Sequence, residues 1–128
     1  MSEGIITLCG STRFFKLFDE MNHRLTMRDY IVLSIGCHTN HDSCLGVVEI
    51  EGAKQMLDRL HKEKISMSDA ILVLDKDRYI GESTRSEINY AIDKKKRVFY
   101  YSNQAHLTEL LSKHPLILRN LTEQESYS

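Results

Sequence analysis

The chain has 128 residues, 41% hydrophobic and 27% charged, which is enough apolar content for one packed domain and too much for a disordered chain. A formal net charge of -1 gives no broad electrostatic reason to expect nucleic acid or an anionic membrane, and no apolar run approaches the roughly 20 residues of a membrane span. Cys9, Cys37 and Cys44 are odd in number and widely spread, and the first four residues place no basic region before an apolar one, so a reduced, cytoplasmic protein without a signal peptide is expected.

Ile5 to Cys9 is short and apolar on both faces, as a central strand should be. A turn, Gly10-Ser11-Thr12-Arg13, leads into a helix whose Phe14, Phe18, Met21 and Leu25 recur at helical spacing and would face the sheet; it ends near Asp29. Tyr30 to Ser34 is the second strand, completing a βαβ unit with a right-handed crossover. Gly36 to Leu45 is a polar loop. From Val48 to Ser66 the pattern is helical, with Met56, Leu57, Leu60 and His61 along one side. Ala70 to Leu74 is a buried third strand, Asp75 to Arg78 a charged loop, and Ser83 to Lys94 a helix. A fourth strand covers Arg97 to Tyr101 and a last helix Ala105 to Lys113, stopped by Pro115. Leu116 to Leu118 has the composition of a short edge strand, and residues 122–128 read as a loose tail. Strands alternating with helices predict one α/β domain over residues 1–121, a three-layer sandwich with a parallel sheet of four or five strands in the order 2-1-3-4.

The stretch from Gly81 to Ala91 follows the third strand and opens a helix, which places hydroxyls, backbone N–H groups and the Glu87 carboxylate at the carboxyl end of the sheet, where open α/β sheets bind ligands. Glu87 there suits a nucleophile or base. Thr84-x-x-Glu87 equally fits a capping box, in which the glutamate satisfies the helix's first N–H. The Gly10 to Arg13 turn offers a glycine that admits a close ligand, a helix N-terminus for an anion, and a forked cation. It also fits a plain N-cap at Ser11 or Thr12 with Arg13 solvated, and it matches neither the dinucleotide fingerprint nor a Walker loop. Asp69 opens the third strand, an ordinary place for a turn aspartate. Asp75 and Asp77 sit at that strand's carboxyl end, either near the ligand edge or as solvated charges. Cys37, His38, His41 and Cys44 invite zinc, but adjacent ligands within eight residues are a poor spacing, so no metal or cofactor is expected; a loop over the pocket, with His41 or Asn40 on substrate, fits better. His61 reads as a surface or half-buried histidine, and Lys94 to Arg97 as the solvated basic end of a helix.

Leu8-Cys9-Gly10-Ser11-Thr12-Arg13, Met67-Ser68-Asp69-Ala70-Ile71-Leu72-Val73 and the Gly81 to Ala91 segment, in that order and spacing, resemble the nucleoside 2-deoxyribosyltransferase-like superfamily, over about Ile5 to Tyr101. The resemblance is to short bacterial and phage members. It implies a flavodoxin-like fold and cleavage of the N-glycosidic bond of a nucleoside or nucleotide, by hydrolysis or by transfer to another base. It implies Glu87 as nucleophile, Asp69 in protonating the leaving base, Gly10, Ser11 and Arg13, with the adjoining Thr12, at a 5′-phosphate, and Gly81 and Ser83 lining the same pocket. A homodimer or larger assembly is also implied. The chain departs from the family pattern at Thr7, where a tyrosine is common, and at Asn89, where a glycine is usual. A non-catalytic nucleotide-binding module of the same fold is the alternative.

Overall fold

The computed structural model describes residues 4–35 and 52–112. Four parallel strands, β1 (Ile5–Cys9), β2 (Ile31–Leu33), β3 (Ala70–Val73) and β4 (Arg97–Tyr100), lie in the order β2-β1-β3-β4. The helices among the described residues are α1 (Phe15–Thr26), α2 (Ala53–Ser66), α3 (Glu82–Asp93) and α4 (Gln104–Leu110), with 3-10 turns at Thr12–Phe14 and Lys76–Arg78. This is the three-layer α/β arrangement of the flavodoxin-like folds. None of these helices is long and apolar enough to cross a membrane. The predicted edge strand at 116–118 and tail at 122–128 lie outside the described residues.

The two-residue period of the strands divides the core. Ile6, Leu8, Ala70, Leu72 and Phe99 face Leu17, Phe18, Met21 and Leu25 of α1 and Leu110 of α4. Cys9, Ile71 and Val73 face Ile65 of α2 and Ile88 and Ala91 of α3. Burying a large aliphatic side chain stabilises by about 1.5–3 kcal/mol, so each helix is pinned by whichever face carries these residues. In α2 that face is Ala53, His61 and Ile65; of the expected side of 56, 57, 60 and 61, His61 turns inward and Leu57 is partly buried, while Met56 and Leu60 are half exposed.

Register fixes where chains leave the sheet. Cys9 pairs with Val73 and Val73 with Tyr100, so β1, β3 and β4 end level with one another. The Leu74 N–H donates to the Cys9 carbonyl at 2.7 Å, which extends this alignment one residue past the ladder. Two buried hydroxyls mark the other end of the α2 layer. Thr7 bonds Ser68 and, at 3.2 Å, the Lys64 carbonyl, which Ser68 also reaches at 2.8 Å. Thr7 thus ties β1 to the end of α2.

Candidate functional site

β1 and β3 end side by side, and the turns that follow open a cavity of about 510 Å³ between the sheet edge, α2 and α3. Its wall takes in Gly10, Ser11 and Thr12 after β1, Tyr79 and Gly81 before α3, Ser83 and Glu87 on α3, and Leu57, Asp58, His61 and Lys64 on α2. The volume suits a nucleoside-sized ligand.

Glu87 reaches this cavity because Thr84, Ile88 and Ala91 form the buried face of α3 and Glu87 flanks it. Gly81 is its N-cap, with no side-chain capping bond, and Glu82 is its first residue, one before the expected start. Thr84 and Glu87 therefore lie inside the helix, and the capping box does not form. Thr84 is buried, and Glu87, in the second turn, brings its carboxylate close to Cys9 at the end of β1. Its side chain is 12% exposed, with Oε1 3.7 Å from Nε2 of His61. The Cys9 thiol completes a tight group: the sulfur, an imidazole nitrogen and a carboxylate oxygen lie within 4.8 Å of one another.

Low dielectric governs the electrostatics of this group. Burial, with the Asp58 charge adding to it, raises the Glu87 pKa from 4.5 to about 7; the neighbouring Cys9 thiol, Lys62 and Lys54 pull the other way. Burial, reinforced by the Lys64 charge, lowers the His61 pKa from 6.5 to about 4. Asp58 and the Leu8 carbonyl oppose that shift, the latter without reaching hydrogen-bond geometry. Burial also pushes the Cys9 thiol well above its ordinary value, and the Glu87 charge adds to this. Near neutrality His61 is therefore uncharged, and neither of its ring nitrogens has a hydrogen-bond partner among the described residues.

No protein-family model matches the chain, and no curated protein sequence does either. The chemistry of the site therefore rests on its own geometry.

The structure brings Gly10, Ser11, Thr12, Gly81, Ser83 and Glu87 to one cavity. Gly10 both lines the cavity and packs against the end of β3. A Cβ on it would stand 3.2 Å from both Cβ and the carbonyl oxygen of Leu74, so its missing side chain lets the turn pack closely against the end of β3. Ser11 caps the 3-10 turn, accepting from the Arg13 N–H at 3.2 Å. Arg13 is exposed and lies outside the cavity wall, its guanidinium 3.9 Å over the Tyr79 ring; Phe14 meets the same ring edge-on at 6.1 Å. Arg13 thus holds a ring that forms the wall, instead of lining it as expected. Asp69 is not brought to the site. It sits at the amino end of β3, exposed, where its Oδ2 accepts the Ile5 N–H at 2.9 Å, on the opposite edge of the sheet from Glu87. Asp75, read as a possible solvated charge, is buried and accepts both the Ser102 N–H and hydroxyl, at 2.9 and 2.6 Å. His41 and the zinc reading of Cys37 to Cys44 fall outside the described residues.

The sequence reading missed Cys9, His61, Asp58 and Lys54 as site residues. Cys9 was legible only as a strand residue, although its position just before the Gly10 turn put it at the ligand edge. Asp58 and His61 lie three apart on α2, a spacing that puts both on one face, but only the helix's true rotation turns that face inward. Lys54 bridges the two helices across the cavity mouth, 3.3 Å from Asp58 and 3.4 Å from the Ser83 hydroxyl.

Proposed function

We propose that the chain cleaves the N-glycosidic bond of a nucleoside or nucleoside 5′-monophosphate with Glu87 as nucleophile. One observation carries the reading: a mostly buried carboxylate stands in the wall of a nucleoside-sized cavity that also takes in the turn after β1 and the first turn of α3. Glycosidic cleavage passes through an oxocarbenium-like transition state, which a fixed carboxylate stabilises most where water is thin. A Glu87 oxygen bonds C1′ as the bond to the base nitrogen breaks, and the base leaves with that electron pair and takes a proton from solvent. Water then attacks C1′ and frees the carboxylate, or a second base does so.

The wall sorts the substrate by chemistry. Ile35, Leu57, Leu60 and Tyr79 offer apolar surface to a base. Ser11, Thr12, Ser83, the uncapped first turn of α3 and Lys54 offer donors to sugar hydroxyls and a phosphate. Asp69, at the far end of the sheet, is too distant to serve as the second carboxyl group, and Asp58 in the wall lies 3.3 Å from the Lys54 ammonium.

Incubating the full chain with a panel of nucleosides and 5′-monophosphates should release free base, and Glu87→Gln should slow release by on the order of 10³-fold or more. No base from any member, or equal rates from the variant, ends the proposal. The raised Glu87 pKa favours one other reading: a carboxyl group that keeps its proton near neutrality donates a hydrogen bond to a nucleotide that is bound and not cut. Thermal stabilisation by a nucleotide with no base released would identify it.

A further inference from the structure

We infer that Cys9, His61 and Glu87 form a binding site for zinc or a similar thiophilic divalent cation, with one coordination position open to the cavity. The donor set is one thiol sulfur, one imidazole nitrogen and one carboxylate oxygen, from three different elements (the end of β1, the middle of α2 and the second turn of α3), and the three donor atoms lie within 4.8 Å of one another. Around a tetrahedral zinc such donors stand roughly 3.3–3.8 Å apart, so the group must draw in by about an ångström. The Nε2 to Oε1 separation of 3.7 Å is already in that range.

The second observation is independent of this spacing. His61 is 5% exposed, and both its ring nitrogens are buried without a hydrogen-bond partner among the described residues. An imidazole lone pair removed from water and left unpaired is destabilising, and a metal bond from Nε2 would relieve that. Charge balance also suits an ion. A thiolate and a carboxylate together neutralise a 2+ cation, so the loaded site would place no net charge in low dielectric. Mixed sulfur and nitrogen donors favour zinc over magnesium or calcium. His61 and Glu87 line the cavity while Cys9 lies beneath them, so three protein ligands leave the fourth position facing the cavity.

This inference goes beyond the glycosidic reading and competes with it in use, since a Glu87 that ligates an ion cannot attack C1′. The two are tested separately. The full chain, stripped with chelator, is titrated with Co²⁺ and followed by absorption. Binding of about one Co²⁺ per chain is expected, with a near-ultraviolet thiolate-to-cobalt band and intense visible bands of a four-coordinate ion, all bleached when Zn²⁺ displaces it. Cys9→Ser should abolish the thiolate band, and Glu87→Gln should weaken Co²⁺ binding at least about tenfold while keeping it. The double variant Cys37→Ser/Cys44→Ser should keep both band and affinity. Absence of a thiolate band in the parent, its persistence in Cys9→Ser, its loss in the Cys37/Cys44 variant, or unchanged affinity in Glu87→Gln each overturns the site. Glu87→Gln keeps the question decidable if Cys9→Ser does not fold. Base release is measured in chelator, so a cobalt band without turnover sinks only the glycosidic reading, and turnover without the band sinks only the metal site.

Discussion

Replacing Glu87 by glutamine should make the protein more stable above neutral pH and leave it unchanged in acid. The sign follows from linkage. Glu87 holds its proton up to about pH 7 in the folded chain, against an ordinary value of 4.5. Below pH 4.5 both states carry the proton and the carboxyl group is neutral in folding. As pH rises from 4.5 to 7 the unfolded chain gives up the proton and the folded chain keeps it, so stability falls with pH. Above about pH 7 both states are ionised, and the full cost of a buried carboxylate remains. That cost is about 3 kcal/mol at 1.36 kcal/mol per pH unit of displacement, or about 2 kcal/mol after allowance for a side chain that borders a water-filled cavity. Glutamine keeps the shape and cannot ionise. In chelator-treated samples, thermal or urea unfolding of parent and Glu87→Gln should coincide near pH 4 and separate progressively to pH 8, where the variant melts higher by roughly 6–10 °C. Equal stability at pH 8, or a difference that does not grow between pH 5 and pH 8, would refute the claim that burial controls this carboxyl group.

The same titration should appear in turnover. If Glu87 attacks as the anion, kcat/KM for base release rises with pH along an acid limb centred near 7, and a limb centred near 4.5 would contradict the buried environment. Gly10→Ala drives a methyl group to 3.2 Å from Leu74 Cβ and the Leu74 carbonyl oxygen, and should cost about 1–3 kcal/mol in urea unfolding; a loss under 0.5 kcal/mol would mean the strand ends are free to part. Asp69→Asn weakens the acceptor of the Ile5 N–H and should lower stability by about 1 kcal/mol while base release persists; loss of release with retained fold would return Asp69 to the chemistry.

The layers and the sheet order follow from signals that are local and repeated. The short run Ile5 to Cys9, apolar on both faces, and the unbroken apolar run Ala70 to Leu74 identify central strands, and the helices between them leave little choice but parallel pairing. The carboxyl edge of the sheet, and Glu87 on it, were legible for the same reason. What was not legible depends on rotation and reach. His61 sits beside Lys62 in a helix whose half-exposed Met56 and Leu60 suggest the wrong apolar side, and only the packing of Ala53 and Ile65 decides which face turns in. Asp69 adjoins the third strand in sequence, but the amino end of that strand lies a full strand length from the ligand edge. Arg13 has the chemistry of an anion clamp, and no feature of its own segment reveals Tyr79 as its partner. Asp75 looked solvated because its clamp, Ser102, is supplied by the loop after a different strand.

The bond from Leu74 to Cys9, with Gly10 wedged beside it, stops β1 and β3 from splaying under the cavity. A roomier or tighter chamber therefore cannot be made from below. Selection among guests by size would have to act on the helical side, where Leu57 and Leu60 line the same cavity.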